Sequence, residues 1–340
     1  MIKNISFLFL LLHFKSFCQI ISFDSIKSSY FKCYDIVFIG EQHNFNYNEI
    51  IEIKLISLIK DNDTKVCVEF QSDLNIPFSK TFTDKDTSTY SFRNYSQNGY
   101  KLKLLKFFYQ ENIAPKAINV FRTNYFLKDE ILKIYSEREF PIEIKNDIKY
   151  FSNIGSLKFP MRHRNMKRYI FFIDEFQKKR SIHSTYLGAD TNKVFEYFDA
   201  LDAMLYAEDD PSKDAPLFSK FREGFMYNML KKEINIEANS KIISINGHAH
   251  IDLDEKSNWI RNKDFVPLAK LVKDSFPNKN VCSVYLLNLE QDVYFAKDYS
   301  VEKKYIKDNV EKGKEYIINL DYENSPFRKL VGKYTHIVVY

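Results

Sequence analysis

Two β-branched runs end at glycine and pass at once into acidic and imidazole side chains, which restricts the chain to a narrow set of folds. Asp35-Ile36-Val37-Phe38-Ile39 leads into Gly40-Glu41-Gln42-His43, and Lys241-Ile242-Ile243-Ser244-Ile245 leads into Asn246-Gly247-His248-Ala249-His250. A short run of this kind that stops at Gly reads as a buried strand closing in a sharp turn. In open parallel α/β sheets, ligands bind outside the carboxyl ends of the strands. Three of the seven histidines therefore fall where such a sheet does its chemistry.

The neighbouring periodicities extend this reading. A helical apolar pattern over Tyr47–Lys60 is followed by the strand Lys65–Phe70, which closes on Glu69; strand, helix, strand at this spacing predicts a parallel βαβ unit with the two strands side by side. Ser79–Asn98 reads as a polar loop, Tyr100–Gln110 as a helix and Pro115–Phe121 as a third strand. From Asn124 to about residue 235 the pattern is mainly helical (Phe126–Ser136, Arg164–Lys178, Lys193–Tyr206 and Leu217–Glu233), with a break at Asp209-Asp210-Pro211-Ser212. That stretch is too long for a simple crossover. Strand Lys241–Ile245, helix Phe265–Ser275 and strand Val281–Leu287 follow, then Asp292–Ala296 as a hairpin partner and Thr335–Tyr340 as a last strand. The expected fold is α/β: a central, mostly parallel sheet flanked by helices, with a large helical insertion at about 124–235 capping its C-terminal edge.

Lys3, the apolar stretch Ile5–Leu12 and the small residues of Ser16-Phe17-Cys18 predict a cleavable export signal over residues 1–18, with a single domain over 19–340 in the periplasm or outside the cell. Acylation at Cys18 is the weaker alternative, because Lys15-Ser16-Phe17 is a poor lipobox. No later segment predicts a membrane span. Loss of Lys3 and Lys15 lowers the formal charge of +5 by two, leaving a mildly basic chain whose charges are dispersed. The densest basic stretch, Arg162–Arg168, reads as a solvated helix face, so no nucleic-acid partner is expected. No heptad repeat indicates an oligomer. Cys33, Cys67 and Cys282 are an odd set without zinc-type spacing, and the last two lie in strands as buried small hydrophobes. No GxSxG elbow or P-loop is present.

Glu41 and His43 flank one residue at the tip of strand one. A carboxylate beside an imidazole raises its pKa and orients its ring, as suits a general base acting on water. Glu69 ends strand two, where an unpaired buried carboxylate would be costly. His248 and His250 alternate, so an extended backbone would point both to one face. With Glu41, His43 and Glu69 they could ligate a divalent metal, or serve a metal-free site as acid, base and oxyanion stabiliser. Arg222 opens a helix that leads into the His-bearing strand and could bind a carboxylate, hold Glu69 or stabilise an anion. Glu223 beside it and His248 are assigned to substrate binding. His163 and His183 read as surface residues.

Taken in order, these residues resemble the erythromycin esterase and ChaN-like superfamily, which also includes Tiki-type proteases and TraB-related proteins. Phe38–His43 resembles its Gly-Glu-x-His signature, Val66–Glu69 its acid-ended second strand, Arg222–Met226 the Arg-acid-x-x-Met helix start of the esterase branch, and Asn246–Ile251 the His-bearing motif. The chain departs from that last motif, in which two histidines stand three residues apart: the position three before His250 is Gly247, and His248 fills the intervening slot. The resemblance implies an exported hydrolase of a small-molecule ester or related bond. His43 would activate water, Glu41 or Glu69 would orient it, and Arg222 and His250 would stabilise the reacting oxygen. Two alternatives come with the superfamily. ChaN-like members are associated with haem and iron uptake, to which export and the 31 Phe and 23 Tyr also lend themselves; Tiki-type members hold a divalent metal, for which Glu41, His43, Glu69, His248 and His250 would be the ligands here.

Overall fold

The computed structural model describes residues 20–43, 47–85, 101–120, 127–154, 163–209, 219–234, 240–254, 264–292, 295, 297, 299–320, 326–327 and 329–340. The expected signal sequence lies outside them, as do most of the polar loop before residue 100 and residues 210–212 of the break. Eight strands form one sheet: β1 (Ile20–Ser22), β2 (Ile36–Glu41), β3 (Lys65–Gln71), β4 (Lys116–Asn119), β5 (Ile242–Gly247), β6 (Val281–Leu287), β7 (Tyr316–Asn319) and β8 (His336–Val339). Their spatial order is β1-β7-β8-β6-β2-β5-β3-β4. From β8 to β4 all pairings are parallel; β7 is antiparallel to β8 and to β1.

Every residue of β2 and β5 is buried, because helices cover both faces of the sheet. This is why the strands read as continuous apolar runs and not as alternating ones. Ile36 and Phe38 face one core, Val37 and Ile39 the other. The second core receives α1 (Asn48–Ile59) and α2 (Leu102–Gln110) through Leu55, Ile56, Leu104 and Phe108. The first receives the helical insertion: α3 (Leu127–Ser136), α4 (Ile142–Ser152), α5 (His163–Lys178), α6 (Arg180–Leu187), α7 (Thr191–Asp209) and α8 (Lys220–Ile234), followed by α9 (Leu268–Ser275) and α10 (Ser300–Asn309). Connections leaving β2 and β3 thus run one way over one face, and those leaving β4 and β5 return over the other. The C-terminal ends of β2, β5 and β3 flank the reversal, where α/β sheets bind ligands.

Four expectations need correction. Strands β2 and β3 are not neighbours: their crossover skips one position, and β5 fills it, parallel to both. His248–His250 is a turn of 3-10 helix, so the two imidazoles do not share a face as on a strand. Phe295 is helical and β6 pairs with β2 and β8, so no hairpin strand occurs among the described residues of Asp292–Ala296; 293, 294 and 296 lie outside them. His183 is fully buried, with Nδ1 2.7 Å from the Tyr135 hydroxyl and its ring against Phe176. Cys67 and Cys282 are buried and Cys33 is exposed, each outside any disulfide among the described residues. Among the described residues, no helix is long and apolar enough to cross a membrane.

Candidate active site

Glu41, the last residue of β2, is 2% exposed and engaged at both oxygens. Its Oε1 lies 3.2 Å from His43 Nδ1. Its Oε2 accepts from Asn48 Nδ2 at 3.0 Å, at the start of α1, and lies 2.8 Å from Lys101 Nζ. Burial works to raise the Glu41 pKa, but the Lys101 ammonium and the His43 contacts outweigh it and hold the carboxyl well below the usual range. The imidazole of His43 is half exposed. Desolvation works to lower its pKa; the hydrogen bond to Glu41 and the charges of Glu69 and Glu41 win, and it lies above 6.5. A carboxylate at Nδ1 fixes the tautomer with the proton there and leaves Nε2 as the base.

Glu69, near the end of β3, faces His43 across the end of β5. Its Oε2 accepts the Gly247 N–H at 2.5 Å and lies 3.9 Å from His43 Nε2. Its Oε1 accepts from Arg222 Nη2 and lies 3.5 Å from His250 Nε2. Burial opposes ionisation, but the His250 and Arg222 charges, with His43 and the Gly247 amide, bring the Glu69 pKa down to about 2. Arg222 comes from the first turn of α8 and reaches the ends of β3 and β4. Its Nε donates to Asn119 Oδ1 at the end of β4 at 2.9 Å, and its Nη1 lies 3.3 Å from His250 Nε2. Glu223, 1% exposed, places Oε1 2.5 Å from His250 Nδ1. The His250 imidazole is thus held between the Arg222 guanidinium at Nε2 and the Glu223 carboxylate near Nδ1.

Glu41, His43, Glu69, Arg222, Glu223 and His250 therefore form one continuous charged cluster. Glu223, assigned to substrate binding from the sequence, is buried against His250. His248 sits beside it, its ring edge on Tyr285 at 5.7 Å between centroids. Burial and the neighbouring His43 push its pKa down to about 4, so it is neutral near pH 7.

The glycines explain the close approach. A Cβ at Gly40 would lie 2.2 Å from Ile251 Cδ1 and 3.2 Å from the His248 Cα, so the 3-10 turn packs directly on the β2 backbone. A Cβ at Gly247 would lie 2.8 Å from His43 Nε2 and 3.3 Å from Glu69 Oε2. The place of the histidine expected at position 247 is thus taken by the ring of His43.

The five side chains named as metal ligands do not present a ligating set. Arg222 and the Gly247 amide occupy Glu69, while Lys101, Asn48 and His43 occupy Glu41; among the described residues no group of three acidic, His or Cys side chains is arranged to hold an ion. The positive charge a metal would bring is supplied here by Arg222 and Lys101.

Sequence reasoning missed Lys101, Asn48, Asn119 and Tyr340, whose hydroxyl donates to Asn48 Oδ1. One signal was available: Asn48, Glu49 and Glu52 are polar residues inside a helix otherwise apolar enough to be buried, and all three are buried.

A mostly parallel sheet with a helical insertion and an acid-imidazole-arginine cluster at its strand ends defines the α/β scaffold of this chain. No family model and no curated protein matches the chain by sequence. Three solved structures share its architecture. A mutant of the erythromycin esterase EreC in its open conformation is 12% identical with a TM-score of 0.65, over 91% of this chain and 90% of that one. A protein from Bacillus cereus is 11% identical with a TM-score of 0.67, over 90% and 88%. A succinoglycan biosynthesis protein is 10% identical with a TM-score of 0.68, over 95% and 94%. The chain has an erythromycin esterase-like fold.

Proposed function

We propose that the chain is a hydrolase of a small-molecule ester or related bond, with His43 as the general base. The observation that carries this is the geometry of His43: its ring is half exposed, Nδ1 is on the ionised Glu41, and Nε2 is 3.9 Å from Glu69 Oε2. That separation is too long for a direct hydrogen bond and suits one bridging water, shared by the base and a carboxylate that cannot itself take the proton near neutral pH. As Nε2 takes a proton from that water, the oxygen attacks the carbonyl carbon. The imidazolium formed is stabilised by Glu41 and Glu69 and can return the proton to the leaving oxygen. Arg222 flanks Glu69 and supplies the positive charge nearest the developing oxyanion, with His250 beside it. Glu223 orients His250 for this work.

The test is hydrolysis of a panel of chromogenic acyl and aryl esters and lactones by wild type and His43→Ala. Loss of a general base lowers turnover by at least ~10²-fold, and the half-exposed position of the ring leaves the melting temperature nearly unchanged. Equal turnover in the two proteins removes the reading.

A further inference from the structure

Lys101 lies behind the catalytic cluster, out of reach of a substrate, yet its environment is unlike that of a structural lysine. It is 3% exposed, and full burial of lysine is rare unless the ammonium is paired. Nζ lies 2.8 Å from Glu41 Oε2 and hydrogen-bonds Glu52 Oε1. Its backbone is in the left-handed region, φ +67°, immediately before α2; a non-glycine residue held there is kept by its surroundings at some cost. Those surroundings are α1: Glu49 Oε2 accepts the Lys103 and Leu104 amides at 2.6 and 3.1 Å, so the helix that carries Glu52 also moors the segment that carries Lys101.

The second acid does not compete for this cation on equal terms. Both oxygens of Glu41 are engaged, whereas Glu52 Oε2 is held by no cation among the described residues, and burial and the adjacent Glu41 charge raise the Glu52 pKa and make it the protonated acid of the two. One ammonium therefore balances one carboxylate, Glu41. The groups facing that carboxylate are His43 from its own turn, Asn48 and Glu52 from α1, and Lys101; Tyr340 stands behind Asn48. Lys101 is the one cation among them whose charge does not depend on the state of the imidazole.

We infer that Lys101 is a positioning residue: its ammonium keeps Glu41 a hydrogen-bond acceptor, and Glu41 in turn keeps the His43 proton on Nδ1 and leaves Nε2 as the base. Without Lys101 a buried Glu41 has no fixed counter-charge, so the Glu41–His43 pair takes up one proton from solvent: Nε2 gains it as the Nδ1 proton passes to the carboxyl, the hydrogen bond reverses, and the ring is left with its one proton on Nε2, where it blocks base catalysis. The inference rests on the hydrolase reading only for its kinetic half.

The experiment is nitrogen NMR of histidine-labelled protein, with the His43 signals assigned by their loss in His43→Asn, on wild type, Lys101→Met and Lys101→Arg. Wild type and Lys101→Arg are expected to show the Nδ1–H ring and Lys101→Met the Nε2–H ring. With an ester from the panel, kcat falls in Lys101→Met at least ~10-fold, toward the loss of the base itself, while KM stays within about twofold. If Lys101→Met does not fold, Lys101→Met/Glu52→Gln removes the second acid with the cation and is expected to show the same tautomer change. A folded variant lacking Lys101 that retains the Nδ1–H ring overturns the inference. A tautomer change in a protein that cleaves no ester upholds the role of Lys101 and removes the hydrolase reading instead.

Discussion

Adding one methyl group at Gly247 should disable the site without unfolding the protein. Gly247 has φ −61° and ψ 147°, a conformation any residue adopts, so alanine brings no backbone strain. Its Cβ would meet His43 Nε2 at 2.8 Å, His43 Cε1 at 3.2 Å and Glu69 Oε2 at 3.3 Å. Glu69 is fixed by Arg222 and by the Gly247 amide itself, so the imidazole must give way. An ordinary contact requires a shift of about half an ångström or more at the atom that takes the proton, and misplacement on the ångström scale costs about 10²-fold in rate. The ring is half exposed and can swing outward, so the stability cost is that of an off-rotamer side chain, about 1 kcal/mol. Gly224→Ala is the control: its Cβ meets nothing within 4 Å, it lies on α8 two residues from Arg222, and helix propensity makes the change neutral or slightly stabilising. The assay is kcat/KM on an ester from the panel beside thermal melting. A Gly247→Ala protein with wild-type kcat/KM would refute the placement of His43; one that loses several kcal/mol would show that the ring has no room to move.

Two further expectations concern pH. Because a general base acts when deprotonated and the His43 pKa is raised, kcat/KM should climb with pH through an inflection above 6.5; Glu41→Gln removes a negative charge, so the inflection should move down toward 6.5 and the plateau should fall. Acid stability should be governed by His183, His248 and His336, which burial holds at about 4 in the folded chain against 6.5 in the unfolded one. Folded pKa values below the unfolded ones mean stability that is complete above pH 6.5 and lost as the pH falls toward 4; the three rings take up to three protons on unfolding, while Glu52 and Asp202, whose pKa values burial raises (Asp202 to about 6), release up to two, so the net slope is on the order of 1 kcal/mol per pH unit. His43 adds stability of the opposite dependence, present below 6.5 and lost above its folded pKa, so it leaves the acid limb unchanged. Urea titrations between pH 4 and 7 read the slope; a flat profile there would show that the three rings are not buried uncharged.

The strands flanking the site were legible because burial on both faces makes a parallel strand a continuous apolar run: Ile36–Ile39, Val66–Val68, Ile242–Ile245 and Val281–Leu287 stand out on composition alone. The edge strand β1 and its antiparallel neighbour β7 were not: none of the three residues of β1 is fully buried, and β7 buries only two. Strand order was hidden for a different reason. A βαβ unit with a vacant position between its strands has the same local sequence as one without, so nothing in residues 35–70 announces that β5 will lie between β2 and β3. In the site, residues next to glycine at strand ends could be named from sequence, as could Arg222 and Glu223 by their place at a helix start. Lys101, Asn119 and Tyr340 carry no local mark. Their roles come from tertiary contacts alone, across 60, 103 and 292 residues in the Lys101–Glu41, Asn119–Arg222 and Tyr340–Asn48 pairs.

The late arrival of β5 bears on how the molecule assembles. Its two neighbours are made some 170 residues or more before it, and in the finished sheet they stand two strand spacings apart, roughly 10 Å, so without β5 their inner edges have no partner. A nascent chain at that stage carries two long apolar edges open to any other strand, the circumstance in which polypeptides associate wrongly. Insertion of β5 closes both edges in one step and in the same step delivers the Gly247 amide to Glu69 and His250 to Arg222. Folding of the sheet centre and appearance of the site are therefore one event, and a chain arrested before residue 242 would have neither.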